Sequence, residues 1–232
     1  MEMAVAADKA LAAGYSVGPF HGVPYALKDI FHVKGKVTTC GSAAMLDNVA
    51  GTTSTVVERL TAAGGIILGK TKTVECAFGG WGTNQKLGTP MNPWDMNAHR
   101  IPGGSSSGTA VAVAANMAPC GMGSDTGGSV RLPAAYCGLV GLKVTAGRLP
   151  LQGVMPLSQT LDTPGPIAQT VLDCLIMFDL LDGREGWQII RDMEKEDGTY
   201  ALLNKGVASL RLGSLSESER QECSDDVLAS YD

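Results

Sequence analysis

The sequence lacks an excess of positive charge. Its 232 residues include 18 lysines and arginines against 23 aspartates and glutamates, which gives a net charge of −5. Proteins that bind nucleic acid through its phosphates carry clustered positive charge, so this balance argues against direct nucleic-acid binding. With 44% apolar and 18% charged residues, the chain is also too hydrophobic to be intrinsically disordered.

The sequence also lacks the cysteine and histidine spacings of metal sites and disulfide frameworks. Its six cysteines contain no C-x-x-C pair, and no histidine lies near them at ligand spacing. We therefore expect reduced thiols in a cytoplasmic protein without a metal site. The N-terminal residues have neither the basic segment nor the long apolar core of a secretory signal peptide.

A convincing transmembrane segment is missing as well. Residues 101–124 carry no charge, but they begin with a glycine- and serine-rich run and include two prolines, five glycines and four serines. A membrane-spanning helix is predominantly apolar, so we expect no membrane insertion.

Local patterns predict alternating helices and strands. The spacings of Thr55 with Glu58 and of Thr170 with Asp173 are those of helix capping boxes. With the remaining apolar and small-residue runs, we expect helices at 1–13, 55–63, 109–117 and 170–182, and strands at 25–27, 66–68 and 210–213. This alternation is typical of an α/β fold, here a mixed β-sheet core covered by helices.

Charge divides the chain into two regions. Residues 184–232 contain 11 acidic and 6 basic residues, whereas residues 1–183 contain 12 of each. We therefore expect two regions of different character, 1–183 and an acidic, exposed 184–232, joined near Gly183.

Two short motifs match known patterns but lack the matching chemistry. Residues 64–71 fit the nucleotide-binding pattern G-x-x-x-x-G-K-[ST], yet their centre is Ile-Ile-Leu, which is stiff and strand-forming. Residues 104–108 fit G-x-S-x-G, whose hydrolase mechanism needs a histidine after the serine. All three histidines precede Ser106: His21, His32 and His99. We therefore expect neither nucleotide binding nor a Ser–His triad.

A third group of residues offers catalytic chemistry, although a Gly-Gly-Ser turn taken alone is more often structural. Gly127 and Gly128 before Ser129 allow the backbone to curl so that successive N–H groups converge, a geometry that stabilises an oxyanion. Ser129 would then need a base. Because no histidine is suitably placed, Lys28 at the end of a strand is the candidate, provided that burial lowers its pKa.

These segments closely resemble the amidase signature family. The resemblance extends from residue 22 to residue 183 and is carried by six stretches: 22–29, 92–95, 102–108, 123–135, 137–143 and 161–166. It implies a triad in which Ser129 is the nucleophile, Ser105 relays a proton after a cis peptide bond from Gly104, and Lys28 is the base. It further implies an oxyanion-binding and substrate-binding group: Thr126, Gly127, Gly128 and Ser106.

The resemblance implies an amidohydrolase that cleaves an amide or carbamate C–N bond in a small molecule, with no cofactor. Family chains are usually about twice as long, so we expect the amidase signature fold to be incomplete in this chain. The resemblance implies a catalytic core at 1–183, and at 184–232 an acidic linker and the start of a missing second half. The alternative is an inactive or partner-dependent subunit, such as the glutaminase-type subunit of a tRNA-dependent amidotransferase. The expected protein partner is a second copy of the chain or a complementing C-terminal half.

Overall fold

The computed structural model describes residues 1–208, 210–211 and 213–231. Its strands are β1 (Pro24–Lys28), β2 (Ile66–Thr71), β3 (Cys120–Asp125), β4 (Val140–Gly141) and β5 (Thr163–Ala168). Its α-helices are α1 (Glu2–Ala12), α2 (Thr55–Ala62), α3 (Ser107–Ala114), α4 (Arg131–Tyr136), α5 (Val171–Asp182), α6 (Gly186–Met193), α7 (Thr199–Leu202), α8 (Glu217–Arg220) and α9 (Asp225–Tyr231). Two short 3₁₀ helices span Ala43–Met45 and Glu75–Ala77.

The five strands form one mixed sheet in the order β2-β1-β3-β5-β4. Strand β1 pairs in parallel with both β2 and β3, whereas β5 pairs antiparallel with β3 and β4. The mixed sheet with covering helices confirms the predicted fold class. Because β1 and β3 run in the same direction, their carboxyl ends meet at one edge of the sheet.

Helices cover both faces of the sheet. Tyr25 and Leu27 of β1 point into the main core, where they pack with residues of α2 and α5. Ala26 between them lies in a separate cluster with Ala112 of α3. This alternation is what a strand with two buried faces requires.

Helix α3 lies very close to the sheet, as its small residues predict. A Cβ atom placed on Gly121 of β3 would lie 2.5 Å from Cγ2 of Thr109. The glycine therefore allows a contact distance that any larger residue would prevent. This close packing fixes the position of the segment 105–107, which leads into α3.

The helix starts confirm one predicted cap and correct the other. Thr170 precedes α5, and its hydroxyl accepts a hydrogen bond of 3.1 Å from the amide of Asp173. The capping box at Thr55 and Glu58 is wrong, because Thr55 is already the first helical residue and Ser54 precedes the helix. Strand β2 occupies Ile66–Thr71, which supports the expectation that residues 64–71 do not form a nucleotide-binding loop.

The C-terminal region differs in part from the exposed linker that its charge predicts. Ile189 of α6 is fully buried in the main core, and Tyr200 of α7 donates a hydrogen bond of 2.9 Å to Asp179. In the expected strand at 210–213, Leu212 lies outside the described residues, and the other three positions are not assigned to a strand. The division at residue 183 stays a prediction.

None of the helices in the described ranges combines the length and apolar character needed to cross a bilayer.

Candidate active site

Lys28 lies at the centre of a polar site at the carboxyl ends of β1 and β3. It is the last residue of β1 and is completely buried. Its Nζ donates hydrogen bonds to the hydroxyl of Ser105 at 2.7 Å and to the hydroxyl of Ser124 at 2.8 Å. Two residues far away in sequence thus converge on the amine of this lysine.

Burial determines the protonation of Lys28. Desolvation lowers the pKa of its amine from 10.5 to about 7, against weaker opposing effects of Cys40, Asp125 and Asp162. The neutral form is therefore accessible near neutral pH, and a neutral amine can accept a proton. A lysine can act as a base only if burial lowers its pKa, and Lys28 meets this condition.

Ser105 lies in a tightly held turn before α3. The peptide bond between Gly104 and Ser105 is cis, as the family resemblance implies. The carbonyl oxygen of Ser105 accepts hydrogen bonds from the hydroxyl of Thr73 at 2.8 Å and from the amide of Val74 at 3.3 Å. These contacts hold the backbone of Ser105 in place, and its side-chain hydroxyl contacts Lys28.

Ser106 has a structural position that differs from the predicted substrate contact. Its side chain is completely buried, accepts a hydrogen bond from the amide of Ser124 and donates one to the carbonyl of Ser124, both at 3.2 Å. Its hydroxyl thus joins the start of α3 to β3. The neighbouring hydroxyl of Ser107 is buried without a partner among the described residues.

The turn at 126–130 is organised around the buried carboxylate of Asp125. That carboxylate accepts hydrogen bonds from the amides of Gly128 at 2.8 Å and Val130 at 3.1 Å, and from the guanidinium of Arg131 at 3.1 Å. Burial alone would raise the pKa of Asp125, but these hydrogen bonds outweigh it and hold the pKa below its ordinary value. An ionised carboxylate therefore holds the turn in shape.

The predicted oxyanion donors are not equivalent. The amide of Gly128 already donates to Asp125, so it is not free in this structure. Within the described residues, the amides of Thr126, Gly127 and Ser129 have no hydrogen-bond acceptor. The turn therefore presents three free N–H groups. The hydroxyl of Thr126 donates to Asp162, which attaches the turn to a second loop.

Ser129 is half-buried at the end of this turn. Its carbonyl oxygen accepts a hydrogen bond of 3.2 Å from the amide of Ser106, the residue after Ser105. The structure thus brings the backbone of Ser129 next to the segment that carries Ser105.

The sequence reasoning missed Ser124 and Thr73. Ser124 lies on β3 inside the recognised motif, two residues beyond Met122, which pairs with Leu27 of β1. The carboxyl ends of parallel strands share an edge of the sheet, so this rule could have associated Ser124 with Lys28. Thr73 gave no comparable signal, because its role depends on how a loop packs.

In the described part of the chain, no group of three or more histidine, cysteine or acidic residues is arranged to hold a metal ion.

Fold and site together define an α/β protein with a buried lysine–serine site at the carboxyl ends of its strands. A family model described as Amidase matches residues 1–232, and the chain belongs to this family, the amidase signature family.

Two curated relatives show the range of proteins that the chain resembles. It is 46% identical over 208 residues to a subunit of the glutamyl-tRNA(Gln) amidotransferase of Chromohalobacter salexigens, and the match covers 90% of this chain and 42% of that protein. It is 45% identical over 179 residues to the 2-amino-5-chloromuconic acid deaminase of Comamonas testosteroni, covering 77% of this chain and 39% of the relative.

A solved structure also resembles this chain over less than half of its own length. The peptide amidase of Stenotrophomonas maltophilia superimposes with a TM-score of 0.73 at 37% identity, over 79% of this chain and 38% of that one. The chain therefore spans less than half the length of these relatives.

Proposed function

We propose that the chain carries the catalytic centre of an amidohydrolase that cleaves an amide or carbamate C–N bond through a Ser129 acyl-enzyme. The observation that carries the proposal is the 2.7 Å contact between Lys28 Nζ and Ser105 Oγ, in a site where the pKa of the amine is about 7. Near neutral pH, this amine is able to act as a base for a hydroxyl.

The proton path is proposed to run through the two serines. Neutral Lys28 takes the hydroxyl proton of Ser105 while Ser105 takes that of Ser129, and the Ser129 oxygen bonds to the substrate carbonyl carbon. As the intermediate collapses, the C–N bond breaks and the proton returns along the same path to the leaving nitrogen. Water then attacks the ester, gives its proton to the relay, and releases the acid and free Ser129.

Ser124 supports this path through the orientation of the amine. An uncharged amine that donates an N–H to Ser124, at 2.8 Å, can direct its lone pair toward Ser105. Without a second fixed partner, the amine would rotate and the lone pair would lose its direction. Ser124 is therefore proposed as a positioning residue.

The free amides of Thr126, Gly127 and Ser129 are proposed to bind the oxyanion. Each such donor contributes on the order of 3 kcal/mol to stabilising a tetrahedral intermediate. The open space around Gly127, where an added Cβ would touch nothing within 4 Å, leaves room for a substrate carbonyl.

The proposed chemistry uses these protein groups and water without a cofactor. A cytoplasmic location is proposed from the free state of the cysteines.

Labelling with a fluorophosphonate tests the proposal, because Ser129 Oγ should displace fluoride and form a stable ester. We expect an adduct on Ser129 that is absent in Ser129→Ala. In Lys28→Ala the labelling rate should fall by at least about 100-fold. In Lys72→Ala, which changes an exposed lysine, the labelling rate should be unchanged. Labelling that is unchanged in Lys28→Ala would refute the lysine base.

Similarity to an amidotransferase subunit favours a second function, in which the centre works only with a partner polypeptide. The chain spans 42% of the amidotransferase relative and 39% of the deaminase. We propose as this alternative that a complementing C-terminal half, or a second copy of the chain, completes the site, as in a glutaminase-type amidotransferase subunit.

Complementation separates the two functions. The part of the Chromohalobacter salexigens relative that lies outside the match is added to the purified chain, and Ser129 labelling and amide hydrolysis are measured. Partner dependence predicts activity only in the mixture. Full activity of the chain alone would exclude partner dependence, and failure of folded samples to label with or without the added part would exclude both functions.

A further inference from the structure

Two cysteines from distant parts of the sequence meet beside the candidate active site. Cys40 follows β1 by twelve residues, and Cys76 lies in the 3₁₀ helix after β2. The amide of Cys76 donates a hydrogen bond of 2.8 Å to the carbonyl oxygen of Cys40. A main-chain hydrogen bond of this kind brings two backbones together, and in hydrogen-bonded strand pairs the Cα atoms are about 5.5 Å apart, within the usual Cα separation of a disulfide.

Further contacts hold the two cysteine-bearing loops together. The side-chain Nδ2 of Asn84 donates to the carbonyls of Gly41 at 2.7 Å and Thr73 at 3.0 Å, and the hydroxyl of Ser42 donates to Glu75 at 2.7 Å. An added Cβ on Gly41 would lie 2.6 Å from the Thr73 carbonyl oxygen. The loops therefore form a close contact that keeps the two cysteines next to each other in the folded protein.

The two thiols differ in exposure, as the two members of a redox pair commonly do. Cys76 is exposed, whereas Cys40 is 3% exposed. Burial, and then the neighbouring Cys76 thiol, raise the pKa of Cys40 to about 11. An oxidant from solvent therefore reaches Cys76 first, and Cys40 is the nearby thiol that can react with the oxidised sulfur.

The pair is linked to the site from both sides. The amide of Cys40 donates to the carbonyl of Asp29, which follows Lys28, at 2.9 Å. The segment before Cys76 supplies Thr73 and Val74, which hold the backbone of Ser105. A covalent link between the two cysteines would join the supports of Lys28 and Ser105.

We propose that Cys40 and Cys76 form a reversible disulfide when the protein meets a hydroperoxide. The thiolate of Cys76 attacks one peroxide oxygen, the O–O bond breaks, and hydroxide leaves with a proton as water, giving a sulfenic acid. The sulfur of Cys40 then attacks that of Cys76, the S–S bond forms, and a second water leaves. Two thiols are oxidised by two electrons and one hydrogen peroxide is reduced to two waters.

The test treats the reduced full chain with hydrogen peroxide, alkylates the remaining thiols under denaturing conditions, and maps crosslinks by mass spectrometry. We expect a Cys40–Cys76 linkage with the loss of two hydrogens, formed at least about tenfold faster than any linkage to Cys223 because the backbones of the two residues are already joined by a hydrogen bond. Dithiothreitol should restore both thiols. Ser129→Ala should form the linkage at the same rate, so the outcome does not depend on the proposed catalytic function.

Two single variants make the result specific. In Cys40→Ser, Cys76 should remain as a sulfenic acid that dimedone traps, whereas in Cys76→Ser Cys40 should stay reduced. Cys223→Ser should behave like the unchanged protein. A stable sulfenic or sulfinic acid at Cys76 with Cys40 reduced, in protein whose circular dichroism is native, would overturn the proposal. So would a linkage that forms only after denaturation.

Discussion

At the scale of single residues, the site depends on the balance between burial and hydrogen bonding that sets the pKa of Lys28. Complete burial disfavours the charged form of Lys28, and the hydroxyls of Ser105 and Ser124 provide the two direct hydrogen bonds to its Nζ. Neutral hydroxyls stabilise an ammonium much less than a carboxylate would, which leaves the pKa low. The acidic residue next in sequence, Asp29, forms an ion pair with Lys70 at 2.7 Å.

This balance predicts how labelling of Ser129 depends on pH. The base must be neutral, so the labelling rate should rise about tenfold per pH unit below 7 and level off above it. Ser124→Ala removes an acceptor that stabilises the ammonium, so the midpoint should move to lower pH. The maximum rate should also fall about tenfold, because the amine loses its second partner.

Ser124→Thr is the matched control for this pH profile, since it keeps the hydroxyl. It should keep the midpoint within experimental error of the unchanged protein. If Ser124→Ala lowers the maximum rate without moving the midpoint, Ser124 supports the fold of β3 and does not position Lys28.

At the scale of elements, the contact of α3 with the sheet positions the serines. The segment 105–107 leads directly into α3, and α3 packs on β1, β2, β3 and β5. The hydroxyl of Thr109 contacts Thr71 of β2 at 2.7 Å, and its methyl group faces Gly121 of β3. A change in the height of α3 above the sheet would therefore displace Ser105 from Lys28.

Gly121→Ala tests this packing. The added Cβ would lie 2.5 Å from Cγ2 of Thr109 and 3.0 Å from the carbonyl oxygen of Ala26. Overpacking of this kind costs about 1–3 kcal/mol of unfolding free energy, which urea denaturation measures, and labelling of Ser129 should slow as well. Thr109→Ser in the same chain removes the methyl group and should restore part of the stability.

Gly69→Ala, in β2, is the control for Gly121→Ala, because an added Cβ there touches nothing within 4 Å. It should change the unfolding free energy by less than about 0.5 kcal/mol. Equal effects of the two substitutions would show that backbone conformation, and not contact with α3, determines the cost.

At the scale of the whole molecule, the sequence predicted the fold class and the polar centre but not the loops around it. The apolar run of β1 and the cap of α5 are local, so they could be recognised without the tertiary structure. The contact of Thr73 with Ser105, and that of Asp162 with Thr126, join loops that are far apart in sequence. Such contacts arise from packing, and no local pattern encodes them.

Burial of Ile189 also shows what the sequence could not predict, here after the proposed division at residue 183. Charge composition predicted an exposed linker after residue 183, yet α6 places one apolar residue in the main core. Average composition does not reveal this, because one face of a short helix is enough to anchor it.

The stability of the whole molecule should also record the protonation of Lys28. The pKa of this lysine is about 7 in the folded chain and near 10.5 when exposed, so between these values the unfolded chain binds a proton that the folded chain lacks. The unfolding free energy contributed by Lys28 therefore rises with pH above 7, by at most about 1.4 kcal/mol per pH unit. The raised pKa values of the buried thiols, such as Cys120, act in the opposite direction at higher pH.

Urea denaturation at pH 7 and pH 8 should thus be compared between the unchanged protein and Lys28→Met, in which the thiols are the same. The difference in unfolding free energy between the two proteins should shift by about 1 kcal/mol in favour of the unchanged protein as the pH rises. Lys72→Met, which leaves the buried amine in place, should follow the unchanged protein. A difference that is constant between pH 7 and pH 8 would mean that Lys28 keeps its proton in the folded chain, and it could not then act as the base for Ser105.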